Sequence, residues 1–161
     1  MNILRELKKQ SACKEGIEWI KGQKDKSLKS LFIQALKEKK YEDISWGISK
    51  LLKKDDKTRY AIYAAKQVLS IFEKEYPKDK RPRLAIKAAE NYLKNPLNEN
   101  KKAANSAALA ANSAANSAAY SAAYSAAALA ANSAADAAYS KEKMQIKILK
   151  YGYRLLIKGI K

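Results

Sequence analysis

Apolar residues recur along this chain at helical spacing, and β-branched alternation is nowhere sustained. Leu28, Leu31, Phe32, Ala35 and Leu36 fall on one face of a helix that Ser27 is placed to cap. Before it, Ser11 is a candidate cap for a short helix carrying Ile17 and Ile20, with Trp19 beside them and Gly22 near its end. After it, Asp43 precedes a helix with Ile44, Ile48, Leu51 and Leu52 in register. A fourth is predicted from about Lys57 to Glu75, with Ala61, Ala64, Ala65, Val68, Leu69 and Phe72 as its stripe and Pro77 as its stop. Pro82 sits where a first-turn proline belongs, opening a helix that turns Ile86, Ala89 and Leu93 inward and closes at Asn95-Pro96. Asn98 is a candidate cap for the segment after it. Ser140 is one for the last helix, which carries Met144, Ile148, Leu149, Leu155 and Leu156.

Seven or eight helices joined by short polar turns predict an all-α fold. Its expected form is a compact helical bundle or stacked helical hairpins, a single domain over residues 1–161 with a long Ala-rich helix near the centre.

That Ala-rich tract runs from Ala103 to Ser140, with 21 Ala among four Asn, seven Ser and two Leu. Larger or polar residues recur at Asn105, Leu109, Asn112, Asn116, Tyr120, Tyr124, Asn132, Asp136 and Ser140, close to every fourth residue. Because an α-helix turns every 3.6 residues, such a stripe drifts by roughly 30° per step and shows small alanine surface to different neighbours at different heights. One straight helix of this length would span about 57 Å. A chain of this size is only about 40 Å across when compact. A hairpin of two helices therefore stays open beside the elongated form that the lack of Gly and Pro favours. The tract exceeds a membrane span, but twelve polar side chains and only two Leu exclude a transmembrane helix. No signal-peptide pattern opens the chain, and a cytoplasmic location is expected.

Composition removes most enzyme chemistry. Histidine is absent and Cys13 is the lone cysteine. There is accordingly no His general base, no Ser-His-Asp or Cys-His pair, no His/Cys zinc site and no intrachain disulfide. No glycine-rich phosphate loop occurs, and the reading implies no cofactor, no metal and no enzyme.

Charge adds one positive signal. Lys and Arg number 33 against 16 Asp and Glu, a formal charge of +17. Residues 1–102 carry +12 of it and residues 141–161 carry +6, while the tract holds only Asp136. The densest cluster is Lys78, Lys80, Arg81 and Arg83, at a proline-flanked turn that enters a helix. Such a helix start attracts anions, but Arg81 and Arg83 are equally placed to pair with Glu73, Glu75 or Asp79. Only five of the basic residues are Arg, the type suited to bidentate phosphate contacts. Trp19, Trp46 and most of the ten tyrosines fall on apolar faces and read as packing residues. Tyr120, Tyr124 and Tyr139 differ, as the large polar side chains of the Ala tract, and Tyr120 and Tyr124 join the cluster as candidate contact residues.

Three stretches resemble a family of small Ala-rich immunity proteins of bacteria and their phages. They are CKEGIEW (Cys13 to Trp19), DISW with the following KLL (Asp43 to Leu52), and YPKDKRPRLAIKAAENYLKNP (Tyr76 to Pro96) leading into the alanine repeat. The second is plainer here than in the family, keeping one Trp, Trp46, where the family shows a tryptophan-rich stretch. The matching positions include Cys13, Glu18, Trp19, Trp46, Arg81, Pro82, Arg83, Ile86, Ala89 and Glu90, mostly fold determinants. The resemblance implies a small cytosolic binding protein, immunity- or inhibitor-like, that neutralises a toxin or host factor by stoichiometric binding, with no cofactor and no catalytic residue. The alternative rests on charge: a basic protein that holds nucleic acid or sequesters a phosphorylated small molecule.

Overall fold

A computed structural model of the chain describes residues 2–102 and 131–160, apart from the side chains of residues 75, 131–140 and 160. Among the described residues there are helices and connecting turns and no strand, and the fold is all-α.

The opening helix, α1 (Ile3–Lys9), lies where the sequence pattern predicts no element. It buries Ile3 and Leu7, one turn apart, with Leu4 half-buried against the same core, and the Asn2 side chain caps it by accepting from the Arg5 N–H at 3.0 Å. Ser11 closes this helix instead of capping the next. It adopts a left-handed φ of 59°, donates to the Lys8 carbonyl, and lets Ala12 donate back to Leu7 at 3.1 Å. The cap of α2 (Lys14–Gly22) is Cys13, whose Sγ accepts from the Gly16 N–H at 3.3 Å. Ser27 does cap α3 (Leu28–Lys37), accepting from the Ser30 N–H at 3.2 Å. Asp25 in turn accepts from both the N–H and hydroxyl of Ser27, which hold its carboxyl below the usual carboxylate range.

Helix α4 (Tyr41–Leu51) begins two residues ahead of Asp43, which falls in its first turn. The α3–α4 turn is closed by Lys39 at a left-handed φ of 56°, with Lys40 donating to the Ala35 carbonyl at 2.9 Å. Next come α5 (Lys54–Glu75) and α6 (Arg81–Lys94), the latter with Pro82 in its first turn and Asn95 closing it. Residues 98–102 are helical. The last helix, α7 (Ala131–Ile160), starts well before Ser140, so the cap expected there is an interior helical position. Alanine's helix propensity outweighs a serine's preference for a cap. Residues 103–130 lie outside the described residues. So do the choice between one helix and a hairpin, the central position of the tract, and Tyr120 and Tyr124.

The chain divides into two compact units, residues 1–57 with 145–161, and residues 58–144. In the first, α1 packs on α2 and α4, and α3 packs on α4. Ile3, Leu7, Ile20 and Leu31 form one buried cluster, with Trp19, Leu28, Trp46 and Leu51 half-buried against it. The C-terminal part of α7 adds Leu149, 1% exposed, and Leu156, while Tyr153 stacks on Phe32 with ring centroids 4.3 Å apart.

In the second unit, two ion pairs set the register of a helical hairpin. Lys66 of α5 meets Glu90 of α6, and Glu73 of α5 meets Arg83 of α6. Moving seven residues forward on α5 moves the partner seven residues back on α6, so the helices run antiparallel about the turn at Pro77. Ile86 and Tyr92 are the buried residues of α6, with Ala89 and Leu93 half-buried. The stripe predicted for α5 is too wide: Ala64, Ala65, Leu69 and Phe72 are half-buried, whereas Ala61 is exposed and Val68 is 45% exposed.

Candidate functional site

Two places in the described residues gather chemistry. The first is the basic turn between α5 and α6. Lys78 is exposed in the turn, and Lys80 caps the backbone by donating from Nζ to the Pro77 carbonyl at 2.8 Å. Arg81 grips Asp79 with both arms of its guanidinium, Nε to Oδ1 at 3.0 Å and Nη2 to Oδ2 at 2.6 Å, and its backbone N–H bonds the same carboxylate. Arg83 donates from Nε to Glu73 Oε1 at 2.6 Å, with a second bond from Nη2 to Oε2. Hydrogen bonding to these guanidiniums, more than charge alone, holds the Glu73 and Asp79 carboxyls below the usual range and pushes both arginines up. Of the six candidate residues the structure thus brings four to one turn, while Tyr120 and Tyr124 lie outside the described residues.

That pairing changes what the turn can do. Residues 73–83 carry five basic and three acidic groups, a net +2, and both bidentate forks already hold carboxylates. An incoming phosphate would have to displace Asp79 or Glu73, or rely on the lysines as point charges. Arg83–Glu73 is in first place a tie between the two helices, and Arg81–Asp79 one within the turn.

The second place is an apolar cleft of about 400 Å³ in the first unit. Its floor is the buried cluster, closed by Phe32, Ala35 and Ile48, with Tyr153 and Leu156 of α7 along one wall. Both tryptophans of the chain line it. Trp19, from α2, is fixed by donating from its indole N–H to Glu38 Oε2 at 2.6 Å, just beyond the end of α3. Gln34 donates to the other oxygen at 2.8 Å, and these two bonds, Gln34's first, hold the Glu38 carboxyl below the usual range. The Lys40 ammonium lies over the Trp19 ring, 5.7 Å from its centroid, and 3.8 Å from Asp43. The charged lining residues Lys40, Glu42 and Asp43 stand at the lip, with Ser11 and the exposed Cys13 thiol.

The sequence pattern reads Trp19 and Trp46 as packing residues and predicts no cleft. A signal for it is present nonetheless. The inward stripe of α2 runs Cys13, Gly16, Ile17, Ile20, and that of α4 runs Ile44, Gly47, Ile48, Leu51. Each puts a glycine where a large apolar residue belongs, and both glycines line the cleft. Glycine inside a helix costs about 0.5–1 kcal/mol relative to alanine. At Gly16 a side chain would press on Cys13 Sγ at 3.3 Å. At Gly47 a Cβ would meet nothing within 4 Å, so no close approach of another group requires the glycine there.

The molecule is thus a lysine-rich all-α protein whose described residues offer a tied basic turn and an apolar cleft. Residues 49–152 match the family described as Imm-5 like putative immunity protein, and the chain belongs to it. The matched stretch contains the α5–α6 hairpin whole, but of the cleft-lining residues on α1 to α4 only Leu51. No curated protein and no solved structure matches the chain. No helix among the described residues is long and apolar enough to cross a membrane.

Proposed function

We propose that this chain acts as a non-enzymatic immunity protein in the cytoplasm, binding a protein toxin or host factor stoichiometrically and covering the surface that the target needs. The observation that carries this reading is membership of the immunity family over residues 49–152. The basic α5–α6 turn lies within that stretch, and Lys78, Lys80, Arg81 and Arg83 are the contact residues proposed on it, with Tyr120 and Tyr124 beyond the described residues. A formal charge of +17 supports an acidic target surface, because opposite fields speed encounter and fix orientation.

The test is affinity capture from the native host with mass spectrometry, run beside a Lys78→Glu/Lys80→Glu variant. This pair changes the field without breaking the Arg–carboxylate ties. The expected result is one acidic protein held at equal stoichiometry by the wild type and lost from the variant. Recovery of nucleic acid that survives washing at high salt, with no protein partner, would overturn the reading, since phosphate binding should itself weaken steeply with salt.

A further inference from the structure

The cleft of the first unit is absorbed neither by the immunity family, whose match contains only Leu51 of its lining on α1 to α4, nor by the basic turn. Its volume of about 400 Å³ falls in the range of small-molecule sites. Below the lip its walls are aliphatic and aromatic, with the Tyr153 hydroxyl and the indole N–H groups as their side-chain polar atoms, so water inside finds few hydrogen-bond partners. Gly47 adds an independent observation: α4 carries the cost of a mid-helix glycine at a position open to a side chain, and any longer residue there would grow into free space at the cleft wall.

We propose that this cleft binds one uncharged apolar small molecule. An engineered cavity of about 150 Å³ accepts benzene, so about 400 Å³ corresponds to roughly sixteen heavy atoms. The ligand is uncharged because the charged residues of the lining, Lys40, Glu42 and Asp43, all stand at the lip and none below it. Lys40 stands between Asp43 and the Trp19 ring, and Glu42 adds a second carboxylate beside them. A charged head group drawn inside would lose its water without gaining a partner. A protein side chain is a poorer occupant, because a protein interface needs apolar surface around its central pocket. Among the described residues of this unit the exposed large hydrophobics are Ile33 and Ile157, and neither lines the cleft. A second copy of the chain would bring +17 against +17.

The two tryptophans make the test direct, since both line the cleft and no other tryptophan contributes to emission. The probe is the neutral dye N-phenyl-1-naphthylamine, titrated into the full chain while Trp emission is followed. Saturable quenching at one dye per chain is expected, with dodecanol competing and bound dye slowing alkylation of Cys13. Gly47→Leu should weaken the dye by about tenfold or more while melting no lower than the wild type. Should that variant fail to fold, Gly47→Ala and the Cys13 alkylation rate of the wild type carry the same decision.

Absence of saturable quenching up to about 1 mM dye would overturn the proposal. So would binding that neither a Gly47 variant nor Cys13 alkylation disturbs, which would place the dye elsewhere. Dodecanoate binding about tenfold tighter than dodecanol would replace the neutral ligand with an anionic one. A dimer that Gly47→Leu splits would make the cleft a contact between copies.

Discussion

The two units of this molecule, each taken by itself, hold their helices by different means. In the first, Ile, Leu and Phe side chains from five helices are buried around a cleft, and the Trp19–Glu38 bond adds a specific tie at its edge. In the described residues of the second, α5 and α6 bury little beyond Tyr60, Ile86 and Tyr92, and two ion pairs spaced one heptad apart fix their register. Val68, Ile71 and Leu84 stay between 45% and 59% exposed there. Hydrophobic burial is strong but indifferent to register, whereas exposed ion pairs are weak but selective. One unit thus rests on burial for stability, and the other uses charge order to choose among alignments.

The largest effect that sharpens this contrast comes from truncating buried side chains. Leu149→Ala, at 1% exposure, should cost about 2–5 kcal/mol in a urea melt, against less than about 0.5 kcal/mol for Leu84→Ala at 58%. Equal losses from the two would break the comparison.

Next in size are the backbone positions of the first unit. Lys39→Gly and Ser11→Gly place glycine at left-handed φ and should each stabilise by about 0.5–1 kcal/mol. Gly47→Ala should add a similar amount, because helix propensity rises and the new Cβ meets nothing. A loss at Gly47 would mean that the cleft wall cannot accept even one methyl group.

Acid should separate the units by probe. The Glu38 carboxyl is lowered by hydrogen bonds from Gln34 and Trp19, so the bound carboxylate supports the fold above the ordinary carboxyl pKa. That support is lost as pH falls through the lowered value. Trp emission should therefore shift only below the ordinary carboxylate range, and Glu38→Gln should flatten that transition. Glu73 and Asp79 follow the same sign through their arginines, with no tryptophan to report it.

The smallest expected effect is on the hairpin. Arg83→Glu should lower its melting midpoint slightly by setting two carboxylates face to face. The double exchange Glu73→Arg/Arg83→Glu should restore it. Failure of the exchange to recover the loss would mean that the pair does not set the register.

Much of this was legible in the residues. The stripes of α3, α4 and α6, the Ser27 cap, the Pro77 stop and the first-turn Pro82 are local matters of spacing and backbone chemistry, settled within a turn or two of helix. The carboxylates named for Arg81 and Arg83 were also within reach, because a short proline-bound turn leaves few alternatives. Other features needed the whole fold. Seven residues with three apolar positions, less than two full turns, become α1 only because a neighbouring surface receives Ile3, Leu4 and Leu7. Ser11 and Cys13 exchange the roles of terminator and cap, since either residue type can serve and the packing of α1 on α2 selects the frame. The cleft was the least legible feature. A glycine on an apolar stripe reads the same whether a neighbour presses on it or nothing does, and sequence records the missing side chain without recording what fills its place. Propensity and periodicity determined which segments are helical; only the tertiary structure decided which faces meet and where they leave a space, because packing depends on residues far apart in the chain.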